Sequence, residues 1–226
     1  MSDYLLINIA TIFVPILLTF EKKLKFYRNI PAVFISIVTV GLLFIAWDII
    51  ATARGDWSFN EDHILGVYIF NLPLEEILFF ITVPYSIIFL YETAKFYLGD
   101  KEITYYCNLY TYAALFFSVA SLAFIGQYYT LTIMLFVGLF FVAAKLLNPS
   151  LLKSRLYWRF IAFTFIPFFI VNYFLTSIPI VLYNDSAIWG TRIITIPVED
   201  FFYSFSLLSF NLLIYVTVKE KWLIKK

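Results

Sequence analysis

Long apolar runs separated by short polar segments dominate the chain. A helix that crosses a bilayer needs about 17 to 25 mostly apolar residues. Seven runs approach this length, and we predict transmembrane helices at Tyr4–Phe20, Ile30–Ala51, Leu74–Leu98, Tyr105–Ile125, Tyr128–Leu147, Leu156–Leu175 and Pro197–Val218. Prolines interrupt three of these runs, and membrane helices tolerate proline as a kink. The pattern therefore predicts an all-α integral membrane protein with seven transmembrane helices.

The composition supports the same class. Hydrophobic residues make up 62% of the chain and charged residues only 14%, whereas soluble domains carry about 25% charged residues. The net charge of +1, without a dense basic patch, argues against nucleic acid as a partner. The single cysteine excludes an internal disulfide framework. The single histidine, His63, is interpreted as a loop residue, and we expect no metal and no cofactor.

The basic residues predict the orientation in the membrane. Lysine and arginine are concentrated in the loops on the cytoplasmic side of membrane proteins. Of the 16 basic residues, 14 lie in or next to the segments that follow the first, third, fifth and seventh predicted spans, which are all on one side of the membrane. Only Arg54 and Arg192 fall on the other side. We therefore expect the N-terminus outside and the C-terminus in the cytoplasm of a bacterial inner membrane. The first residues carry no positive charge, which favours a retained first helix over a cleaved signal peptide.

A repeat relates the two halves of the chain, because Glu75 aligns with Glu199 when residue n is compared with residue n + 124. The identities at this offset fall mainly on polar, glycine and proline positions, which are scarce in so apolar a chain. They are Thr52/Thr176, Asn60/Asn184, Ile64/Ile188, Gly66/Gly190, Ile69/Ile193, Pro73/Pro197 and Glu75/Glu199. The first three spans thus repeat as the last three.

The repeat predicts a modular architecture. Residues 1–98 form a first three-helix module, residues 99–126 a connector helix, and residues 127–226 a second three-helix module. An offset of four helices preserves direction across the membrane, so the modules are predicted to be parallel repeats related by an axis along the membrane normal.

Each module carries two acids directly after a proline, in NLPLEE (71–76) and in TIPVED (195–200). Proline and acids suit the first turn of a helix, so these residues could simply start helices near the water interface. However, each acid within a bilayer costs about 2.5 to 3.5 kcal/mol. Neighbouring positions point about 100° apart on a helix, so one acid of each pair can face the bundle. The candidate catalytic residues are Glu75, Glu76, Glu199 and Asp200.

Other residues are candidates for substrate binding or for tuning these acids. Asp48 lies near the outer end of the second span, and Asn172 is its uncharged counterpart in the repeat; both are also compatible with an interfacial polar role. Aromatic rings can stabilise a cation in a cavity. The remaining candidates, by position along the chain, are Trp47, Asn60, Phe79, Phe80, Asn184, Phe202 and Tyr203.

The segment AWDIIATARGDWSFNEDHILGVYIFNLPLEEILFF (46–80) resembles the signature region of the non-flavin lycopene cyclases. This family includes bacterial heterodimeric cyclases, whose two small subunits would be fused here, and the cyclase domain of the fungal bifunctional lycopene cyclase/phytoene synthase. The second module departs from the pattern, with Asn172 in place of aspartate and PVED in place of PLEE. This departure leaves open which module supplies the proton.

The resemblance implies a cofactor-free isomerisation of a linear carotenoid. An acid protonates the ψ-end group of lycopene, the neighbouring alkene closes the ring, and a base removes a proton, which yields the β-ionone rings of β-carotene or γ-carotene without net redox change. The implied partners are lycopene, membrane lipid and other carotenoid-pathway enzymes. The chain contains no G-x-G-x-x-G motif after a strand, as a Rossmann flavin site would require.

Two other functions remain open from the sequence. Parallel three-helix repeats also occur in small-solute membrane transporters, although the predicted spans hold few polar residues for a polar solute. A cyclase that acts on a modified or longer carotenoid is compatible with the same residues.

Overall fold

The computed structural model describes residues 2–223; Met1 and residues 224–226, with the predicted basic tail positions Lys225 and Lys226, lie outside the described residues. The helices within that range are Asp3–Leu18 (α1), Ile30–Arg54 (α2), Leu74–Leu98 (α3), Cys107–Ser121 (α4), Tyr128–Leu147 (α5), Pro149–Lys153 (α6), Arg155–Ser177 (α7) and Val198–Val218 (α8). The short strands are Trp57–Phe59 (β1), Tyr68–Ile69 (β2), Leu72–Pro73 (β3), Val181–Tyr183 (β4), Arg192–Ile193 (β5) and Ile196–Pro197 (β6).

Six helical segments are long and apolar enough to cross a membrane. They are Phe26–Arg54, Leu74–Leu98, Cys107–Phe124, Tyr128–Leu147, Arg155–Ser177 and Val198–Lys221. The prediction of an all-helical membrane protein is therefore confirmed. The first predicted span, Tyr4–Phe20, is the 16-residue helix α1, which at 1.5 Å per residue is about 24 Å long and so shorter than the hydrocarbon core of about 30 Å.

Corresponding elements of the two halves begin at residue n and residue n + 124. The pairs β1 and β4, β2 and β5, β3 and β6, and α3 and α8 all have this offset. In each half, a hairpin of two short strands ends directly at the helix that begins with the acids. The strands β1 and β4 pair with each other in antiparallel register, with Trp57 opposite Tyr183. This pairing brings the starts of α3 and α8 to one end of the bundle, here called the acid end.

The two hairpins have the same turn despite different residues. Phe70 (φ 57°) and Ile194 (φ 60°) occupy equivalent positions in the left-handed region of backbone space, which is uncommon for residues other than glycine. Their side chains are exposed. The turn therefore follows from the packing of the whole loop rather than from a glycine, and it places the start of each acidic helix directly after the hairpin.

Aromatic side chains form much of the core between the halves. Phe44 on α2 is fully buried, and its ring lies 5.1 Å from Phe136 on α5 and 5.5 Å from Tyr203 on α8, measured between centroids. The connector helix α4 packs closely on α5 at Gly138, where an added Cβ would lie only 2.7 Å from Ser118 Oγ. The core thus holds α2, α5 and α8 together, and α4 covers α5 from outside.

Candidate active site

The second acid of each pair lies in a cavity of about 60 Å³ at the acid end, here called the acid chamber. Both halves of the chain contribute to it. The residues that line it are Tyr4, Asp48, Trp57, Phe59, Glu76, Phe79, Tyr129, Asn172, Leu175, Val181, Tyr183, Asp200 and Tyr203. Three of these residues carry carboxyl groups, and none of the described lining residues is a lysine or an arginine. Aromatic rings supply most of the remaining wall.

Glu76 is held by a tyrosine from α1 and lies beside a second carboxyl group. Tyr4 Oη donates a hydrogen bond of 2.6 Å to Glu76 Oε2. Asp48 on α2 lies next to Glu76. Its side chain is 2% exposed, and neither of its carboxylate oxygens has a hydrogen-bond partner among the described residues. Buried polar groups are nearly always paired, so an unpaired carboxyl in a cavity marks Asp48 as a functional candidate.

Asp200 accepts hydrogen bonds from two tyrosines. Tyr129 Oη on α5 donates to Oδ1 over 2.7 Å, and Tyr183 Oη on β4 donates to Oδ2 over 2.9 Å. Tyr183 lies outside the membrane-spanning helices. Its burial, and then the nearby charge of Asp200, raise the pKa of Tyr183 well above the ordinary value of about 10. The hydroxyl therefore stays protonated and acts as a hydrogen-bond donor.

The first acid of each pair is used differently. Glu75 Oε1 accepts hydrogen bonds from Ser2 Oγ (2.6 Å) and from the backbone N–H of Leu65 (2.7 Å). Glu199 Oε1 accepts equivalent bonds from Thr130 Oγ1 (2.5 Å) and the backbone N–H of Trp189 (2.6 Å). Leu65 and Trp189 are equivalent in the repeat, ten residues before their glutamates. Both first acids are buried but neither lines the chamber, and each fastens the loop that precedes its helix.

The structure thus separates the four predicted catalytic acids into two pairs. Glu76 and Asp200 line the acid chamber, and Glu75 and Glu199 hold loops. The candidates Asp48, Phe79, Asn172 and Tyr203 also line the chamber.

Trp47 packs against that wall, with its ring centroid 5.9 Å from Trp57 and 5.6 Å from Tyr203. The remaining candidates lie elsewhere. Phe80 is fully buried in the core, and Phe202 packs against the connector helix.

Asn60 and Asn184 form turns outside the chamber. Asn60 Oδ1 accepts from the backbone N–H of Asp62, and Asn184 Nδ2 donates to the carbonyl of Gly55 over 3.0 Å. Their identity across the repeat is explained by these equivalent loop positions. His63 is a loop residue, as predicted, and its Nδ1 lies 2.6 Å from a carboxylate oxygen of Asp3.

Sequence reasoning missed the three tyrosines that contact the acids. Tyr4 and Tyr129 are 125 residues apart, one more than the repeat offset, and each lies at the start of the first helix of its half. This near match between positions n and n + 125 was the available signal, and the abundance of tyrosine, with 17 in the chain, obscured it. Tyr183 had a similar signal in its near match with Phe59 at positions n and n + 124, and both of these residues line the chamber.

An apolar groove of about 490 Å³ continues from the chamber between α1, α3, α7 and α8. Phe79, Asn172 and Tyr203 line both spaces. Val14 and Ile170 on the groove wall are each 54% exposed, so the groove opens sideways to the surroundings of the bundle.

Three hydroxyl groups in the groove, those of Thr11, Ser86 and Thr164, donate to helix carbonyls. Ser86 Oγ donates to the carbonyl of Thr11 over 3.0 Å, and Thr164 Oγ1 donates to the carbonyl of Ile161 over 2.7 Å. With these donors satisfied, the groove offers mainly apolar contacts to a ligand.

The roles of the first acids lead to a stability prediction. Glu75→Gln and Glu199→Gln should each lower the thermal stability of the detergent-purified protein, since hydrogen bonds to a charged group contribute about 1.5–3 kcal/mol. The turnover of the protein that remains folded should fall less than about tenfold. Thermal unfolding followed by size-exclusion chromatography measures the first effect. Unchanged stability together with abolished turnover would assign these acids to the chemistry instead.

The comparisons with known proteins identify the family. The family model for lycopene cyclase matches residues 2–94 and again residues 126–218, and each matched segment contains one acidic pair. The chain therefore belongs to the lycopene cyclase family, and the predicted resemblance is confirmed. Membership places the chain among the membrane proteins of carotenoid biosynthesis.

A curated relative is the bifunctional lycopene cyclase/phytoene synthase of Arthroderma gypseum, with 33% identity over 91 residues. The aligned region is 39% of this chain and 15% of the relative's length. No solved structure matches the chain.

Proposed function

We propose that the chain is a lycopene cyclase that converts the linear ψ-end groups of lycopene into β-ionone rings without net redox change. The observation that carries this proposal is the convergence of Glu76 and Asp200, from the two family-matched segments, on one chamber. A proton donor and a proton acceptor around one cavity are what a proton-initiated cyclisation requires. The chamber also continues into an apolar groove, which suits a hydrocarbon substrate.

Glu76 is the proposed proton donor. In a chamber whose carboxyl groups are buried and whose described lining residues include no lysine or arginine, two adjacent carboxyl groups are poorly accommodated as two negative charges. At least one of Glu76 and Asp48 is therefore protonated. Transfer of that proton to the terminal double bond forms a C–H bond and a tertiary carbocation. The neighbouring alkene then attacks this carbon, forms the ring C–C bond and moves the positive charge into the ring.

Asp200 is the proposed base. The two hydrogen bonds donated by Tyr129 and Tyr183 stabilise negative charge on its carboxylate. It removes a proton from the carbon next to the cationic centre, and the C–H electrons become the ring double bond. The substrate and product are then isomers. The proton returns from Asp200 to Glu76 across the chamber, which is large enough to hold water, since one water needs roughly 10–15 Å³ of such space.

Aromatic rings support the cationic intermediate. Phe79 and Tyr203 line the junction of the chamber and the groove, and Trp57 lines the chamber but not the groove. A cation over an aromatic face gains about 0.5–1 kcal/mol at an exposed site and about 2 kcal/mol or more in a dry one. The three rings and the carboxylates together supply the electrostatic stabilisation of the charge as it moves from the terminal carbon into the ring.

We also propose that the two halves are parallel repeats in a seven-span topology. The 124-residue offset between corresponding elements supports this arrangement, and the distribution of basic residues supports a cytoplasmic C-terminus in a bacterial inner membrane. In this topology the acid end lies near the outer face. A C-terminal fluorescent or alkaline phosphatase fusion tests the orientation, because the phosphatase is active only outside the cytoplasm; an active phosphatase would reverse the assignment.

The function is tested by expression in a bacterium that accumulates lycopene. We expect lycopene to be replaced by β-carotene or γ-carotene, separated by chromatography and identified by absorption and mass. Unchanged lycopene, with the protein shown to be folded in the membrane, would contradict the proposal. Parallel strains that supply a longer or an end-modified linear carotenoid test the alternative substrates, because cyclisation of one of these alone would redirect the assignment.

A further inference from the structure

The two sides of the acid chamber are built from equivalent helices but differ in packing. On one side α2 packs against α8 and α5. On the other side α7, which is equivalent to α2 in the repeat, lies beside α3 and leaves the apolar groove between itself and α1. Both helices therefore face the chamber, through Asp48 and Asn172 respectively, but the groove that shares lining residues with the chamber runs along α7.

Large aromatic rings close the first side. The Trp47 ring lies 5.0 Å from Phe136 and 5.6 Å from Tyr203, between centroids. Phe44 is fully buried and packs edge-on against the same two rings. No space is left between α2, α5 and α8 at this level for a chain to pass, because these four rings interlock.

Smaller or displaced side chains open the second side. At the position equivalent to Trp47, α7 carries Val171, which lines the groove. At the position equivalent to Phe44, Phe168 packs against Phe165 and Phe201, with centroids 5.9 and 4.9 Å away. Pro15 and Pro167 also line the groove. A proline within a helix removes a hydrogen bond and bends it, so α1 and α7 each have a kink site along the opening.

We propose that the apolar groove between α1 and α7 is the entrance for the linear polyene, which slides in from the bilayer with one end group in the acid chamber. This inference rests on the proposed function and deepens it. Val171 and Val14, on opposite walls, determine whether the entrance is open. The groove joins the chamber at Phe79, Asn172 and Tyr203, so a chain lying in it directs its terminal double bond toward Glu76.

The chemistry of the groove favours a hydrocarbon polyene over a polar ligand. The hydroxyl groups of Thr11, Ser86 and Thr164 are bonded to helix carbonyls, and most of the remaining lining is aliphatic or aromatic. A sugar or other polar solute would lose its hydrogen bonds to water here without replacement, at a cost of about 1–3 kcal/mol for each group. The sideways opening lets the distal part of a long polyene remain in the membrane.

The test blocks the groove from each wall in turn. Val171→Trp places at the open side the residue found at the closed side, and Val14→Trp narrows the groove from α1. Val14 is 54% exposed, so its replacement should leave the core intact even if Val171→Trp folds poorly. Val142→Trp on α5 is the matched control, because Val142 is 43% exposed and outside the groove.

We expect each folded groove variant to cyclise lycopene in vesicles about tenfold more slowly or worse, as displacement of a reacting group commonly causes, and the control to stay within about twofold of wild type. A wild-type rate in either folded groove variant would overturn the entrance assignment while leaving the cyclase intact. A wild-type protein without cyclase activity would instead contradict the proposed function itself.

Discussion

Glu76→Gln is expected to abolish ring formation while leaving the protein folded. General acid catalysis contributes about 10²–10⁴-fold to a rate, so we expect turnover to fall by about that factor. Glutamine has nearly the same shape, and its side-chain oxygen can still accept the hydrogen bond from Tyr4. It has no acidic proton to give to the alkene. The loss should therefore appear in turnover and not in the amount of folded protein.

The measurement compares the initial cyclisation rates of purified proteins in lycopene-loaded vesicles. Each rate is divided by the amount of folded protein, which size-exclusion chromatography gives. Glu61→Gln is the matched control, because Glu61 is an exposed acid in the loop at the same end of the bundle. The control should keep the wild-type rate. A Glu76→Gln protein that retains more than about half of the wild-type rate would remove this residue from proton donation.

The helices and the acidic pairs were predictable because each depends on local sequence. A long apolar run has few alternatives to a membrane helix, and a proline followed by acids marks a helix start. The offset of 124 residues was readable for a similar reason, since polar and glycine identities are rare in an apolar chain. These features predicted where α3 and α8 begin and which end of the bundle is acidic.

The division of labour within each pair was not predictable from the sequence. Glu75 and Glu76 are adjacent in the chain, and helix geometry says only that they point in different directions. Their roles depend on partners from other elements: Tyr4 for the second acid, and the backbone N–H of Leu65 for the first. The same applies to Asp200, whose partners Tyr129 and Tyr183 lie on α5 and β4.

The difference between the two sides of the chamber was also hidden in the sequence. The repeat aligns Trp47 with Val171 and Asp48 with Asn172, but alignment alone does not say which substitution opens a path. In the structure, the loss of the tryptophan ring coincides with the groove, and both polar residues still line the chamber. The repeat therefore predicted equivalence, whereas the side-chain volumes at these positions differ between the closed side and the side with the groove.

Asp200→Asn is expected to lower turnover by about 10²–10⁴-fold, because it removes the proposed base, which takes a proton from the closed ring. The reason differs from that for Glu76. An asparagine can accept a hydrogen bond through its oxygen, but its amino group cannot, so either Tyr129 or Tyr183 loses its acceptor. Tyr183→Phe alone should reduce turnover by less, about tenfold, because Asp200 keeps its charge and one of its two donors.

A double-mutant cycle separates a positioning role of Tyr183 from an independent one. If Tyr183 acts through Asp200, Tyr183→Phe should have almost no further effect in the Asp200→Asn background. Asp185→Asn is the matched control, since its side chain is 87% exposed in the same loop, and it should keep the wild-type rate. Additive losses of turnover in the double variant would show that Tyr183 contributes independently of Asp200. A wild-type turnover in Asp200→Asn would instead assign the base to another group.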